Sequence, residues 1–214
     1  MMGQKTQDQD WVNLKKYQEQ NSQLKPSPAG EKRVVFMGDS ITEFWSRVNP
    51  SFFELKPYIN RGISGQTTPQ ILKRFKADVL DLNPAVVVIL GGVNDIAGNT
   101  GPTTIQSIAA TIFEMVALAQ ANKIKVILCS VLPAYDFSWR PNQFPAEKII
   151  ALNLLIKKYA LENGIYYLDY FSEMKDEKNG LKKEYGPDGV HPNLAGYQVM
   201  GPLVEEAIQK VLEI

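Results

Sequence analysis

Ala85-Val86-Val87-Val88-Ile89-Leu90-Gly91-Gly92-Val93-Asn94-Asp95 decides the fold class. Six consecutive apolar residues, four of them β-branched, leave no polar face, which is the pattern of a strand covered on both sides. The glycines that end the run turn the chain, and a helix is expected from about Thr103 to Asn122. The same alternation recurs on either side. Arg33 to Met37 reads as a first buried strand, Tyr58 to Arg61 as a second short one before a helix from Thr68 to Leu82. Lys125 to Cys129 and Ile165 to Leu168 read as a fourth and fifth strand. A helix from about Ala146 to Asn163 stands between the last two, and a closing helix runs from about Asn193 to Leu212. Five strands alternating with helices require crossover connections, hence a parallel sheet with helices on both faces. The fold class is α/β.

Upstream, Trp11, Leu14 and Tyr17 fall at i, i+3 and i+6, which predicts a short amphipathic helix with Asp10 as N-cap. Pro26, Pro28 and Gly30 then break the chain. Residues 1–30 are expected to form an N-terminal helix and linker packed on the core, and residues 31–214 a single domain. The loop Pro133 to Pro145 exceeds an ordinary connection and is a candidate wall of a site, and a second long loop, Asp169 to Pro192, precedes the closing helix.

Composition bounds the function. The 214 residues are 44% hydrophobic and 21% charged, with 23 basic residues against 23 acidic ones. That balance offers no electrostatic footprint for nucleic acid. No apolar run approaches the roughly 20 residues that span a bilayer, so no integral membrane segment is expected. The one cysteine, Cys129, excludes an intramolecular disulfide and reads as a core residue of the fourth strand. Met1 to Asp10 shows neither a basic n-region nor an apolar h-region. A cytoplasmic start and a trimmed export signal, with a periplasmic or secreted product, both stay open, as does the oligomeric state.

Ligands of open α/β sheets bind beyond the carboxyl ends of the strands. Three small polar turns stand there: Gly38-Asp39-Ser40, Gly62 to Gly65, and Gly91 to Asp95. A serine on a tight strand-to-helix turn presents its hydroxyl at the mouth of the sheet, near a helix N-terminus that stabilises negative charge. In isolation such a serine is ordinarily the cap of the helix that begins near Thr42. A serine nucleophile needs a base within hydrogen-bond reach, and the chain has one histidine, His191. It lies in Asp188-Gly189-Val190-His191-Pro192, where Asp188 can turn back to accept the imidazole Nδ1 proton. Asp39 and Asp95, beside these positions, read as acceptors of backbone N–H groups that hold the turns.

Gly38-Asp39-Ser40-Ile41, Asn60 to Gly65, Gly92-Val93-Asn94-Asp95 and Asp188 to His191 together resemble, in order, the four sequence blocks of the GDSL, or SGNH, hydrolases. The resemblance implies a three-layer α/β/α sandwich around a five-stranded parallel sheet, flavodoxin-like in topology. It implies hydrolysis of acyl esters with no metal and no organic cofactor. Carried over by position, Ser40 is the nucleophile, His191 the base and Asp188 the acid. The Ser40 and Gly65 backbone N–H groups and the Asn94 side-chain amide form the oxyanion hole. The chain departs from the family pattern at Ile41, where the family name has leucine, and at Gln66, where many relatives carry aspartate; the latter change is expected to act on loop orientation or substrate choice.

Tyr135-Asp136-Phe137-Ser138-Trp139-Arg140 sets three aromatic rings and an arginine at a strand end. Tyr135, Trp139 and Arg140 are candidate substrate contacts, as is Arg61 for an anionic group. A small-molecule ester is the expected partner, with O-acetylated carbohydrate preferred. A lysophospholipid or thioester substrate, or acyl transfer on the same site, is the alternative. A non-catalytic flavodoxin-like binding module is disfavoured because Gly38-Asp39-Ser40 is too short and too acidic for a phosphate loop. A metallohydrolase is disfavoured by the single histidine.

Overall fold

The computed structural model describes residues 10–26, 28 and 30–213. The polar leader before Asp10 and two linker positions lie outside them. Strands β1 (Val34–Gly38), β2 (Tyr58–Gly62), β3 (Val86–Leu90), β4 (Lys125–Cys129) and β5 (Tyr166–Leu168) form one sheet in the order β2-β1-β3-β4-β5. Every pair is parallel. β1 and β3 are buried along their whole length, as their unbroken apolar sequences require. Helices α2 (Ser40–Val48), α7 (Tyr170–Met174) and α8 (Leu194–Glu213) cover one face, and α3 (Thr68–Asp78), α5 (Ile105–Ala121) and α6 (Ala146–Glu162) cover the other. This is the expected three-layer α/β/α sandwich.

Strand order reverses between β1 and β3, so the crevice between their carboxyl ends is the switch point where such folds bind ligands. The register sets Gly38, Gly62 and Leu90 side by side, which brings the turns after β1, β2 and β3 to one place. Gly62 is required there: a Cβ would lie 2.1 Å from Glu43 N and 2.7 Å from Asp39 O, both backbone atoms. Beneath the crevice, Trp45 of α2 stacks on Phe52 (4.5 Å) and Tyr197 (5.2 Å). Truncating an aromatic core residue of this kind costs about 3–5 kcal/mol.

Several boundaries differ from expectation. The N-terminal helix is α1 (Gln18–Gln23), not a helix through Trp11, Leu14 and Tyr17. Asp10 does accept from Leu14 N and Lys15 N, but Asn13 takes φ +57°, so the chain runs as successive turns that bury Val12 and Tyr17 and expose Trp11 and Leu14. The helix from Thr68 ends at Asp78, followed by a 3-10 turn Leu80–Leu82. The short helices α4 (Val93–Ile96) and α7 lie in stretches read as turn and loop.

Candidate active site

Ser40 is the first residue of α2, and the N-cap is Asp39, whose Oδ1 accepts from Ile41 N at 3.0 Å. Capping is therefore discharged by Asp39 and the Ser40 hydroxyl is free for other work. Burial pushes the Asp39 carboxyl up to about 7, and the charge of Asp95 adds to the effect; its Oδ2 has no partner among the described residues. Tyr197 of α8 donates its hydroxyl to Ile41 O at 2.7 Å, which fastens the serine turn to the element that follows His191.

His191 Nε2 lies 3.0 Å from Ser40 Oγ, and His191 Nδ1 lies 2.7 Å from Asp188 Oδ2. An ionised carboxylate only accepts, so Nδ1 carries the ring proton and Nε2 offers its lone pair to the Ser40 O–H. Burial raises the Asp188 carboxyl, but the hydrogen bonds from the His191 backbone and ring and from Val190 N outweigh it and hold the group below its ordinary value. The imidazole is flanked by Phe44 (centroids 5.3 Å apart) and Trp139 (5.9 Å). The short Asp188–His191 turn brings the carboxylate and the imidazole together, the contact that their spacing suggests.

The turns after β2 and β3 carry Gly65 and Asn94. Gly65 takes φ +76°, a conformation side-chain-bearing residues rarely adopt, and its N–H has no partner among the described residues. The Ser40 N–H, at the start of α2, has no intrahelical acceptor. Asn94 of α4 donates one amide hydrogen to Gln66 O at 3.0 Å, while its Oδ1 accepts from Asn99 Nδ2 at 3.0 Å. Its second hydrogen remains available. Asn99 also donates to Gly65 O at 3.0 Å. Asn99 was not among the site residues singled out from the sequence, because its partners are a neighbour's side chain and a carbonyl 34 positions away. Asp95 accepts from Thr68 N and the Thr68 hydroxyl (2.7–3.1 Å), the structural part expected of it.

The aromatic loop is held by its own polar atoms. Asp136 accepts from Phe137 N, Asn142 N and Gln143 N, and Arg140 N donates to Phe137 O at 3.0 Å. Trp139 is 45% exposed and stacks on buried Phe137. Arg140 donates to Ala97 O, which pins the loop to the turn after α4. Tyr135 is exposed, edge-on to Phe144, with the Lys178 ammonium over its ring. The reading of Arg61 as a substrate contact is overturned. It is 4% exposed, donates from Nε and Nη2 to Asn21 Oδ1 and from Nη1 to Asn60 O, and lies over the Tyr17 ring. The N-terminal segment covers it, and that segment's path was invisible to local patterning. Among the described residues no group of three or more His, Cys, Asp or Glu side chains is placed to hold a metal ion, and no helix is long and apolar enough to cross a membrane.

Comparison with known proteins identifies a family and a shared fold. The sequence profile described as the GDSL-like Lipase/Acylhydrolase family matches residues 36–199. No curated protein matches significantly. Among crystal structures, a Bacteroides fragilis protein assigned as an acylhydrolase is 48% identical, with a TM-score of 0.94 over 96% of this chain and 100% of its own. A GDSL-like lipase of Bacteroides thetaiotaomicron is also 48% identical, with a TM-score of 0.91 over 93% of this chain and 98% of its own. An acetylxylan esterase of Geobacillus stearothermophilus, 22% identical, shares the fold with a TM-score of 0.62 over 84% of this chain and 94% of its own.

Proposed function

The chain belongs to the GDSL-like lipase/acylhydrolase family and is a hydrolase acting on ester bonds, and from that premise we propose that Ser40, His191 and Asp188 cleave short acyl esters, with O-acetylated carbohydrate as the substrate class. The observation that carries the assignment is the unbroken hydrogen-bonded path from Ser40 Oγ through the His191 ring to Asp188 Oδ2, at 3.0 and 2.7 Å.

In this reading Ser40 Oγ attacks the ester carbonyl carbon as its proton passes to His191 Nε2. The carbonyl oxygen gains the electron pair of the broken π bond and is met by the N–H groups of Ser40, Gly65 and Asn94. Such preorganised donors contribute more than any other single factor in comparable sites, each worth about 10²–10³ in rate. Collapse expels the alcohol oxygen, which takes the proton from His191. Water then gives a proton to His191 Nε2 and its oxygen to the acyl carbon, and the acid leaves as Ser40 recovers its hydrogen. Asp188 holds the imidazole tautomer and stabilises the imidazolium formed twice per turnover.

The substrate class rests on Trp139. An exposed indole beside the base, locked in place by Phe137 and the Asp136 turn, presents a flat apolar face to the leaving alcohol. Aromatic faces suit pyranose rings. The acetylxylan esterase of Geobacillus stearothermophilus is evidence that this fold accommodates acetylated sugars. Arg140 and Tyr135 border the same loop and are assigned to the outer part of the alcohol site.

The test is hydrolysis of 4-nitrophenyl acetate and of acetylated xylo-oligosaccharides by the native protein, Ser40→Ala and His191→Ala. Activity in the native protein alone supports the assignment; equal rates in all three contradict it.

A further inference from the structure

The loop Gly62–Gln66 contributes Gly65 N–H to the oxyanion site and supplies Gln66 O, the acceptor that orients Asn94. It has no regular secondary structure after Gly62 and turns through a glycine at φ +76°. Much of what holds it comes from the chain's N-terminal segment. Tyr17 donates its hydroxyl to Gly62 O. Glu43 Oε2 accepts from Ser64 N at 2.5 Å, and the Lys16 ammonium pairs with the other Glu43 oxygen. Gln66 Nε2 donates to Val12 O at 2.5 Å. Alternate residues of the loop, 62, 64 and 66, are thus tied to Tyr17, to Lys16 through Glu43, and to Val12.

The segment is itself anchored. Val12 and Tyr17 are buried, Gln70 Nε2 donates to Trp11 O at 2.6 Å, and Asn21 donates to Asp78 Oδ1 at 2.7 Å while accepting from Arg61. Gln66, 3% exposed, is the junction: its Oε1 accepts from Arg74 Nε at 2.6 Å, and Arg74 Nη2 donates to Gly38 O at 2.8 Å, two residues before Ser40. One side chain must donate to a carbonyl and accept from a guanidinium at once. Glutamine does both; a carboxylate lacks the donor for Val12 O, and a buried carbonyl left unpaired is costly.

We propose that residues 11–21 are a positioning element of the ester-hydrolysis site, acting through Tyr17, Glu43 and Gln66 to set the Gly65 N–H and the Asn94 amide in the geometry that receives the oxyanion. This rests on the oxyanion assignment made above. Because the segment holds the loop that carries Gly65 and orients Asn94 and, among the described residues, makes no hydrogen bond to the Ser40–His191–Asp188 triad, its loosening lowers kcat more than it changes KM. The burial of Arg61 has its place here, as part of the seat for Asn21.

The test uses the full chain, Tyr17→Phe, Gln66→Glu and, as an off-site control, Lys210→Ala, which removes an exposed ion pair with Glu206. Active sites are titrated to completion with a fluorophosphonate, and kcat and KM for 4-nitrophenyl acetate are measured per titrated site. The expected result is a loss in kcat of about fivefold or more in both brace variants, KM within about threefold of native, and a parallel slowing of phosphonate inactivation, with the control unchanged. A merely structural role would lower the melting temperature and the titratable fraction but leave kcat per site native; a loss smaller than about fivefold overturns the proposal. Tyr17→Phe, which removes only a hydroxyl, carries the test if Gln66→Glu does not fold. A native protein inactive on every ester would overturn the functional reading and this inference together, whereas an active native protein whose variants keep kcat overturns the inference alone.

Discussion

Asn99 Nδ2 donates to Asn94 Oδ1 at 3.0 Å, and this bond fixes which way the Asn94 amide faces. With its oxygen held there and one hydrogen on Gln66 O, Asn94 has a single hydrogen left, directed by two neighbours and not by its own rotamer preference. The same Asn99 amide holds Gly65 O. Asn99→Ala removes the support from two oxyanion donors while leaving the triad intact. A fall in kcat of about tenfold with little change in KM is expected, measured by steady-state kinetics on 4-nitrophenyl acetate; an unchanged kcat would show that Asn94 needs no such support.

Asp188 is the acceptor that keeps the His191 proton on Nδ1. Asparagine preserves its shape but can present an amide donor to the ring and cannot stabilise the imidazolium. Asp188→Asn is expected to lower kcat by about 10²–10⁴. The check is kcat on an activated acetate ester, with circular dichroism to establish that the variant is folded. A loss below tenfold would assign the orienting role elsewhere.

Asp39 makes a separate prediction, about stability. Burial, reinforced by the charge of Asp95, pushes its carboxyl up to about 7, against roughly 3.9 in an unfolded chain. Between those values the folded protein keeps a proton that the unfolded chain has lost, so this group's contribution to stability declines as pH rises from about 4 to about 7 and is flat above. Asparagine retains an acceptor for Ile41 N and removes the buried charge. The melting temperature of Asp39→Asn relative to native is expected to be higher at pH 8 than at pH 5, as read by thermal denaturation at both. A difference that does not change with pH would contradict the shift.

Trp139 separates substrate classes. Stacking contributes about 0.5–1.5 kcal/mol beyond buried area, so Trp139→Ala is expected to raise KM for acetylated xylo-oligosaccharides by about 2–10-fold. It should leave the kinetics of 4-nitrophenyl acetate, which lacks a sugar ring, nearly unaltered. Equal effects on both substrates would assign the indole to packing around His191 alone.

What could be read from the chain and what could not divides along physical lines. Strands such as Val86–Leu90 announce themselves because a doubly covered strand has no room for polar residues, and the parallel sheet follows from their alternation with helices. The pairing of Ser40 with His191 could be anticipated because strand ends in this architecture converge and only one imidazole exists, whereas Asn94 was singled out only through the family resemblance. Arg61 was misread because its partner Asn21 lies in a segment whose path depends on Asn13 adopting a positive φ, which no hydrophobic period reports. Asn99 and Gln66 act through bonds to residues 28 to 54 positions away or through a neighbour's side chain. Local spacing carries no trace of such bonds. Helix α7 was missed because five residues are too few to show a period.

The nucleophilic role of Ser40 can be measured most directly by covalent labelling. Native protein treated with a fluorophosphonate, then weighed intact and mapped by peptide mass spectrometry, is expected to carry one adduct per chain on the peptide containing Ser40. Ser40→Ala should take up none, and His191→Ala should react far more slowly. An adduct on another residue, or ester hydrolysis that persists undiminished in Ser40→Ala, would contradict the assignment.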